Sequence, residues 1–306
     1  GLGASILTAM KQVSVCLAVY NGADLLERAL HSVQAQTYRD FEVLVLDDGS
    51  TDGSAALAEK FEVRLIRQQN QGLGAARRRL VEEAKGELIA FIDHDDEWLP
   101  EKLERQVAFH FKRRAVLSHT AAEYLDETGK GWIRRFPHRE DTSPWEQVAL
   151  AGCRIIASTV VFSREAMLAA GNFDPEVRLA SDWYGWFQLA AAGPFAYLDE
   201  PLARYRVRSD ASSASSGRFH RAEEFLIEQK LLPRFDELLG KVPERERRRY
   251  RRGMLRWLAK VKRHLAHYAR LDGDRQAALR LHRESVRHDP LNLAYWLSYA
   301  KNLVRR

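Results

Sequence analysis

The chain has 306 residues, 45% of them hydrophobic, two cysteines and a formal net charge of +6. Such a chain can bury a large core, yet no apolar run nears the roughly 20 residues of a membrane-spanning helix, and two thiols are too few for a disulfide framework. No transmembrane segment is therefore expected, and a reducing cytoplasmic setting is, with Cys16 as a buried strand thiol.

Residues 1–11 lack the basic start of a secretory signal and read as a tail. From Val13 onward strands and helices alternate. Val13–Val19 reads as a buried strand, Asn21-Gly22 turns the chain, and Ala23–Gln34 repeats apolar residues at helical spacing (Leu26, Leu30, Val33). A second strand, 41–46, ends in Asp47-Asp48-Gly49-Ser50. Ser50, Asp52 and Ser54 offer N-caps for a helix reaching residue 60. A third strand (63–66), a helix (72–84) and a fourth strand (87–92) follow. This alternation predicts an α/β fold, a mostly parallel sheet wrapped by helices.

Beyond Pro100 the pattern predicts a helix to residue 113 and strand-like pieces near Val116 and Trp132. Ser143-Pro144-Trp145-Glu146 has the form of a capping box. A strand over 155–162, a helix over 182–192 and two short extended pieces within 195–205 come next. The polar run 209–217 reads as a mobile loop or boundary, dividing a domain of 12–216 from a helical region of 217–306. In that region Met254, Leu258, Val261, Leu265 and Tyr268 form an apolar stripe, and Arg249, Arg252, Arg256, Lys260 and Arg263 line another face. Residues 271–299 resemble a single tetratricopeptide-like helix pair.

Charge divides unevenly. Residues 241–306 hold 19 Lys and Arg against 6 Asp and Glu, a net of +13, which leaves −7 for residues 1–240. The asymmetry points to an electrostatic partner for the tail. An anionic membrane surface fits a helix with a basic and an apolar stripe. The alternative is that the apolar stripe packs on the domain itself or on a second copy in a homo-oligomer. Nucleic acid is disfavoured, because no base-reading module is recognisable.

The fourth strand carries the strongest chemical signal. Its apolar run ends in Asp93-His94-Asp95-Asp96, three acids within four residues. Crowded carboxylates repel unless a cation sits between them, and a hard divalent ion, Mg²⁺ or Mn²⁺, takes oxygen ligands and shares them with phosphates. The inference is a metal–phosphate site at the carboxyl end of a sheet. The plainer alternative is a polar loop whose acids cap the next helix. Asp47-Asp48-Gly49-Ser50 can offer an acid to a nucleobase or ribose, although a turn with a helix cap explains it equally well.

Taken in order, the ending Val19-Tyr20-Asn21, the Asp-Asp-Gly-Ser at 47–50, the Asp-His-Asp-Asp at 93–96, Gln36-Thr37-Tyr38, Asn70-Gln71-Gly72 through Arg77, and Gly86-Glu87 make a combined pattern. Over roughly residues 12–208 the chain resembles the inverting family 2 glycosyltransferases of the GT-A fold, a Rossmann-like nucleotide-diphospho-sugar transferase fold, here with a helical C-terminal extension.

The resemblance implies a nucleotide-sugar donor, UDP-sugar foremost, a Mn²⁺ or Mg²⁺ cofactor, and a glycan or lipid-linked acceptor. By it, Asp48 binds the base, and Ala18, Tyr20 and Asn21 line the nucleotide slot. Arg77 lies near the donor's sugar or phosphates. Asp93 and Asp95 occupy the Asp-x-Asp positions, and Asp95 and Asp96 reach the metal. Asp182, in Ala180-Ser181-Asp182-Trp183, is the expected base, with Ser181 where the family usually has Glu and with a plain N-cap as the alternative. Trp183, Tyr184 and Trp186 can stack on sugars or pack in the core. Arg206 and Arg208 are expected to clamp the diphosphate. Arg208 stands where the family often has a metal-holding His, which an arginine cannot replace as a ligand. His94, His119 and His138 read as structural or solvated.

Other classes fit less well. A haloacid-dehalogenase-like phosphatase needs Thr or Val where Glu97 stands, and places its acids on the first strand. A dinucleotide oxidoreductase needs a glycine-rich turn that Asn21-Gly22-Ala23-Asp24 does not supply. A catalytically weak scaffold with a polyanion-binding tail is the non-enzyme alternative.

Overall fold

The structure is a computed structural model and describes residues 12–135, 142–150, 152–208 and 217–304. The tail 1–11, His138 and most of the polar run 209–217 lie outside the described residues. The expected α/β alternation is present as β1 (Val13–Val19), α1 (Ala23–Gln34), β2 (Phe41–Asp47), α2 (Ser54–Ala58), β3 (Arg64–Arg67), α3 (Leu73–Glu83) and β4 (Leu88–Phe91). These strands are all parallel, in the order β3-β2-β1-β4.

The physical reason is burial. β1 and β4 are apolar on both faces because helices cover both faces of the sheet. α1 lays Leu26, Ala29, Leu30 and Val33 on one side, the i, i+3, i+4, i+7 spacing of a helix with one core-facing stripe. Each such leucine contributes roughly 1.5–3 kcal/mol by leaving water.

The second half of the sheet is mixed. It comprises β5 (Glu97–Trp98), β6 (Leu117–Leu125), β7 (Gly131–Arg134), β8 (Val160–Ser163) and β9 (Phe195–Arg206). β8 joins β4 and β6 antiparallel, β9 runs parallel to β6, and β5 pairs antiparallel with β9. Around these strands lie α4 (Lys102–Arg113), α5 (Pro144–Ala149), α6 (Arg164–Ala169) and α7 (Ser181–Ala190).

Three local expectations change. The strand over 155–162 is a 3₁₀ turn, Ala157–Thr159, followed by β8. The two extended pieces at 195–205 are one strand with a register shift against Thr120–Ala122, and Pro201 sits at that irregularity. Half of the capping box forms, since Ser143 accepts from the Trp145 N–H, whereas Glu146 pairs with Arg249.

The helical region comprises α8 (Gly217–Phe225), a π-helical stretch (Leu226–Leu231), α9 (Phe235–Leu238), α10 (Glu244–Leu271), α11 (Arg275–His288) and α12 (Leu293–Val304). Leu226, Phe235, Tyr250, Met254 and Leu258 enter the same core as Trp186 and Phe187. Val261 and Leu265 are also buried. The reading of the α10 stripe as membrane-facing is therefore corrected, because protein already covers it. The basic face is engaged too: Arg256 pairs with Asp289, Lys260 lies over the Trp257 ring, and Arg263 lies over Tyr295. Among the described residues no helix is long and apolar enough to cross a membrane.

Candidate active site

The parallel strands place the sequence signals at one edge. Val19 at the end of β1 is level with Asp47 at the end of β2, and Cys16 with Phe91 near the end of β4. The chain leaves β1 to build β2 and β3 on one side and returns as β4 on the other. Loops diverge at such a switch point and leave a crevice at the carboxyl ends of the strands. The loops after β1 and β4 touch at Gly22 and His94: a Cβ on Gly22 would meet a His94 ring carbon at 2.2 Å and displace that ring.

The acid loop follows β4. Asp96 is 1% exposed. One of its carboxylate oxygens accepts from the Ser158 hydroxyl and the other from the Arg206 backbone N–H at 3.0 Å. The Ser158 hydroxyl in turn accepts from the Asp93 N–H at 2.9 Å. Ser158 therefore ties the two ends of the loop together. Burial, then the charges of Asp95 and Asp93, raises the Asp96 carboxyl well above its ordinary range. Asp95 is also raised, by burial and Asp93, against the lowering pull of His94 and Arg208.

These carboxylates differ in fitness for a divalent cation. Asp93 and Asp95 keep side chains 33% and 19% exposed. The proton affinity that burial and then Asp93 give Asp95 is what a cation would relieve. Asp93 is already paired with Arg77, so Asp95 is the carboxylate left to a cation, with room in the coordination shell for phosphate and water, as Mg²⁺-type sites usually have. Among the described residues no group of three or more His, Cys, Asp and Glu forms a ready metal cluster. Asp96, expected as a metal ligand, is buried with each oxygen accepting a hydrogen bond, and those bonds anchor the loop.

Arg77, on α3 and 4% exposed, joins this loop to the start of α7. Its Nη2 donates to Asp93 Oδ1 at 3.2 Å, its Nη1 donates to Ser181 Oγ at 3.0 Å, and Nη1 lies 4.0 Å from Asp182 Oδ1. The guanidinium also lies over Phe91, 5.5 Å from the ring centroid. Asp182 is not the N-cap of α7; Ala180 holds that position with φ of 56°. Asp182 stands in the first turn and accepts from the Trp183 N–H at 2.9 Å. Burial raises its carboxyl above the ordinary range, and Arg77 partly offsets the rise. A carboxylate whose proton affinity is raised by burial, at the carboxyl edge of the sheet, has the character of a proton acceptor.

The other expected residues divide. Ala18, Tyr20 and Asn21 line the end of β1, with Tyr20 50% exposed. Asn21 Oδ1 accepts from the Thr51 N–H at 2.8 Å and its N–H donates to Ser50 Oγ, joining the loops after β1 and β2. The Asp48 carboxylate is buried and accepts from the N–H groups of Gln71 and Gly72 and from Gln68 Nε2, at 2.9, 2.8 and 2.8 Å. It braces the 68–72 loop, where Gly72 takes φ of 90°, a region that favours glycine. The Arg206 guanidinium donates to Glu97 at 3.0 Å, and Arg208 Nη1 lies 4.0 Å from Asp95 Oδ2. Arg206 thus meets the acid loop through its backbone, and Arg208 through its guanidinium.

Trp183, Tyr184 and Trp186 pack in the core, and Trp183 Nε1 donates to Val148 O at 2.7 Å. His119 is buried, with Nε2 2.9 Å from Gln147 Oε1. Sequence reasoning missed Ser158 and the service of Ser181 to Arg77. The available signal was the polar pair Ser158-Thr159 interrupting an otherwise apolar run.

Comparison with known proteins identifies the family. The profile of glycosyl transferase family 2 matches residues 14–167. The glycosyltransferase TuaG of Bacillus subtilis (strain 168), assigned provisionally to teichuronic acid biosynthesis, is 31% identical over 211 residues, 66% of this chain and 82% of TuaG. A Rickettsia felis glycosyltransferase is 29% identical over 64% of this chain, which spans only 33% of that relative's length. Among solved structures, Staphylococcus aureus TarS 1–349 in complex with UDP-GlcNAc superposes with a TM-score of 0.63 at 18% identity, over 95% of this chain and 89% of that one. The Pyrobaculum calidifontis mannosyltransferase PcManGT, in complex with GDP-Man and Mn²⁺, gives 0.56 at 20% identity, over 96% and 87%. The structural likenesses carry the GT-A fold, and the profile match across half the chain, with TuaG beside it, makes this protein a member of glycosyl transferase family 2.

Proposed function

We propose that the protein transfers a sugar from a nucleotide-diphosphate donor, UDP-sugar foremost, to an acceptor hydroxyl with inversion at the anomeric carbon, in the building of a surface polysaccharide or glycoconjugate. The observation that carries this reading is the Arg77 bridge. One buried guanidinium contacts Asp93 of the acid loop and stands beside Asp182 of α7. Donor-side and acceptor-side acids thereby face one crevice.

In this reading Ala18, Tyr20 and Asn21 form the wall of the nucleoside slot, and Asp48 holds the loop that closes it. Asp93 faces the ribose and Asp95 the diphosphate, where Asp95 would hold a Mn²⁺ or Mg²⁺ ion. Such an ion, when bound, neutralises charge that gathers on the departing diphosphate. Arg208 lies beside Asp95 and supports the same negative charge, and Arg206 orients the loop through Glu97. Asp182 accepts the proton of the acceptor hydroxyl as that oxygen attacks the anomeric carbon from the face opposite the diphosphate. Arg77 keeps Asp182 and Asp93 at a fixed separation and partly offsets the rise that burial gives the Asp182 proton affinity.

TuaG's assignment to a cell-surface polymer, TarS's UDP-GlcNAc and PcManGT's GDP-Man with Mn²⁺ support the donor class and the ion. The test is to incubate the purified protein with a panel of UDP- and GDP-sugars with Mn²⁺, Mg²⁺ or chelator, and to follow nucleotide diphosphate release and product anomer by NMR. Ion-dependent release of UDP and an inverted anomer are expected. A retained anomer, or no release with any donor, overturns the reading.

A further inference from the structure

We propose that α12 is a docking surface for an anionic phospholipid bilayer. Surface helices normally turn their apolar stripe toward the protein. α12 does the reverse. Tyr295 faces inward, packed with Ala259 and Val286. Leu293, Trp296, Leu297 and Leu303 stand 70%, 47%, 53% and 50% exposed, and Leu291 in the preceding turn is 89% exposed. Positions 293, 296, 297, 300 and 303 recur at i, i+3, i+4, i+7 and i+10, which is one continuous face of a helix. The face is apolar throughout, since position 300 is alanine. An outward stripe of this kind marks a binding site.

Charge selects the occupant. Arg275, Arg280, Arg283, Arg287 and Lys301 are all exposed on α11 and α12. Two of the acids there are committed inward: Glu284 pairs with the buried Lys262 at 2.8 Å and Asp289 with Arg256 at 3.7 Å. Asp274 caps α11 through the Ala277 N–H and Asp272 is exposed beside it. The exposed basic residues outnumber these two exposed acids, so the rim is cationic on balance. A second copy would bring the same cations against it, which opposes self-association through this face. An anionic leaflet relieves the charge, accepts leucines into the acyl boundary and suits a tryptophan at the interface. The surface lies on α12, and the α10 stripe takes no part because protein covers it. The proposed surface uses α11 and α12 only and does not depend on the donor or the acceptor of the transfer reaction.

The test uses the full chain in flotation with phosphatidylglycerol–phosphatidylcholine vesicles against phosphatidylcholine alone, at low and high salt. Wild-type protein is expected to float with the anionic vesicles and to be released by salt. Leu293→Glu with Leu297→Glu is expected to reduce binding by more than about tenfold, with an unchanged melting temperature because both side chains are exposed. Arg280→Glu with Arg287→Glu should lower binding while leaving the leucines in place. In the wild type, lipid-borne quenchers should reduce Trp296 emission. Absence of flotation, binding equal on both vesicle types, or binding unaffected by the double-Glu change overturns the proposal. A dimer in solution that the leucine variant dissolves, without flotation, assigns the face to a second copy instead.

Discussion

Arg77 Nη2 lies 3.2 Å from Asp93 Oδ1. This pair ties a helix of the first half of the sheet to the acid loop after β4. The same guanidinium reaches Ser181 at 3.0 Å, 104 residues along the chain. Arg77→Met keeps much of the volume and deletes the bridge. Transfer is expected to fall on the order of 10²-fold, because small displacements of reacting groups have that effect. Arg77→Lys should recover little, since an ammonium cannot span Asp93 and Ser181 together. Steady-state kinetics of both variants, with circular dichroism to confirm folding, checks the expectation. Lys-variant activity equal to wild type contradicts it.

A second expectation concerns Asp182. As a base it acts only when ionised, and its carboxyl is raised by burial despite Arg77. Activity should therefore fall as pH falls through a value above the usual carboxylate range, and stay level above it. In Arg77→Met the lowering influence is gone, so this acid limb should move to higher pH. Asp182→Asn should cut transfer about 10²–10⁴-fold with donor affinity unchanged. Pre-steady-state binding of fluorescent UDP-sugar together with a pH–rate profile separates the two effects. Wild-type transfer by the Asn variant would remove Asp182 from the mechanism.

In the proposed reading the acid loop divides its work between a cation-holding Asp95 and an anchoring Asp96. Asp95→Asn should weaken metal-dependent donor binding strongly and leave the melting temperature unchanged, because Asp95 faces the crevice. Asp96→Asn should act through stability, costing roughly 1–3 kcal/mol for disturbed buried hydrogen bonds. Ser158→Ala frees both the Asp93 N–H and Asp96. It is expected to weaken metal affinity about 10–100-fold, the usual effect of losing a group that orients a ligand. Mn²⁺ titration of activity alongside thermal melts distinguishes the three. Equal melting temperatures for Asp95→Asn and Asp96→Asn would reject the division of roles.

Much of this was legible in the sequence wherever the cause is local. Acids ending apolar runs marked the carboxyl edge, and the spacing of Leu26, Leu30 and Val33 drew α1 to its residue bounds. What escaped depends on distant partners. The strand predicted through 157–159 turns instead as a 3₁₀ segment whose Ser158 carbonyl accepts the Trp98 indole N–H at 2.7 Å and whose hydroxyl serves Asp93 and Asp96. The periodicity of Met254, Leu258, Val261 and Leu265 announced an apolar face but not its cover, which proved to be protein. The outward stripe of α12 was hidden for the same reason, since a helical wheel does not say which side is inside.

Lys102 offers a test independent of catalysis. It is fully buried at the start of α4, its Nζ lies 3.7 Å from the Trp98 ring centroid, and its contact with Val160 O is long at 3.5 Å. Burial lowers the ammonium's proton affinity well below its ordinary value. A base depressed in the folded state binds fewer protons folded than unfolded, so stability should rise with pH up to the unfolded-state value near 10.5. Lys102→Met fills a similar volume without an ammonium to desolvate, so it is expected to be neutral or stabilising. Chemical denaturation across the neutral-to-alkaline range should show a higher midpoint for the Met variant at neutral pH and a flatter pH dependence. A Met variant that is less stable at neutral pH would mean that the cation–ring contact with Trp98 outweighs the desolvation of the ammonium.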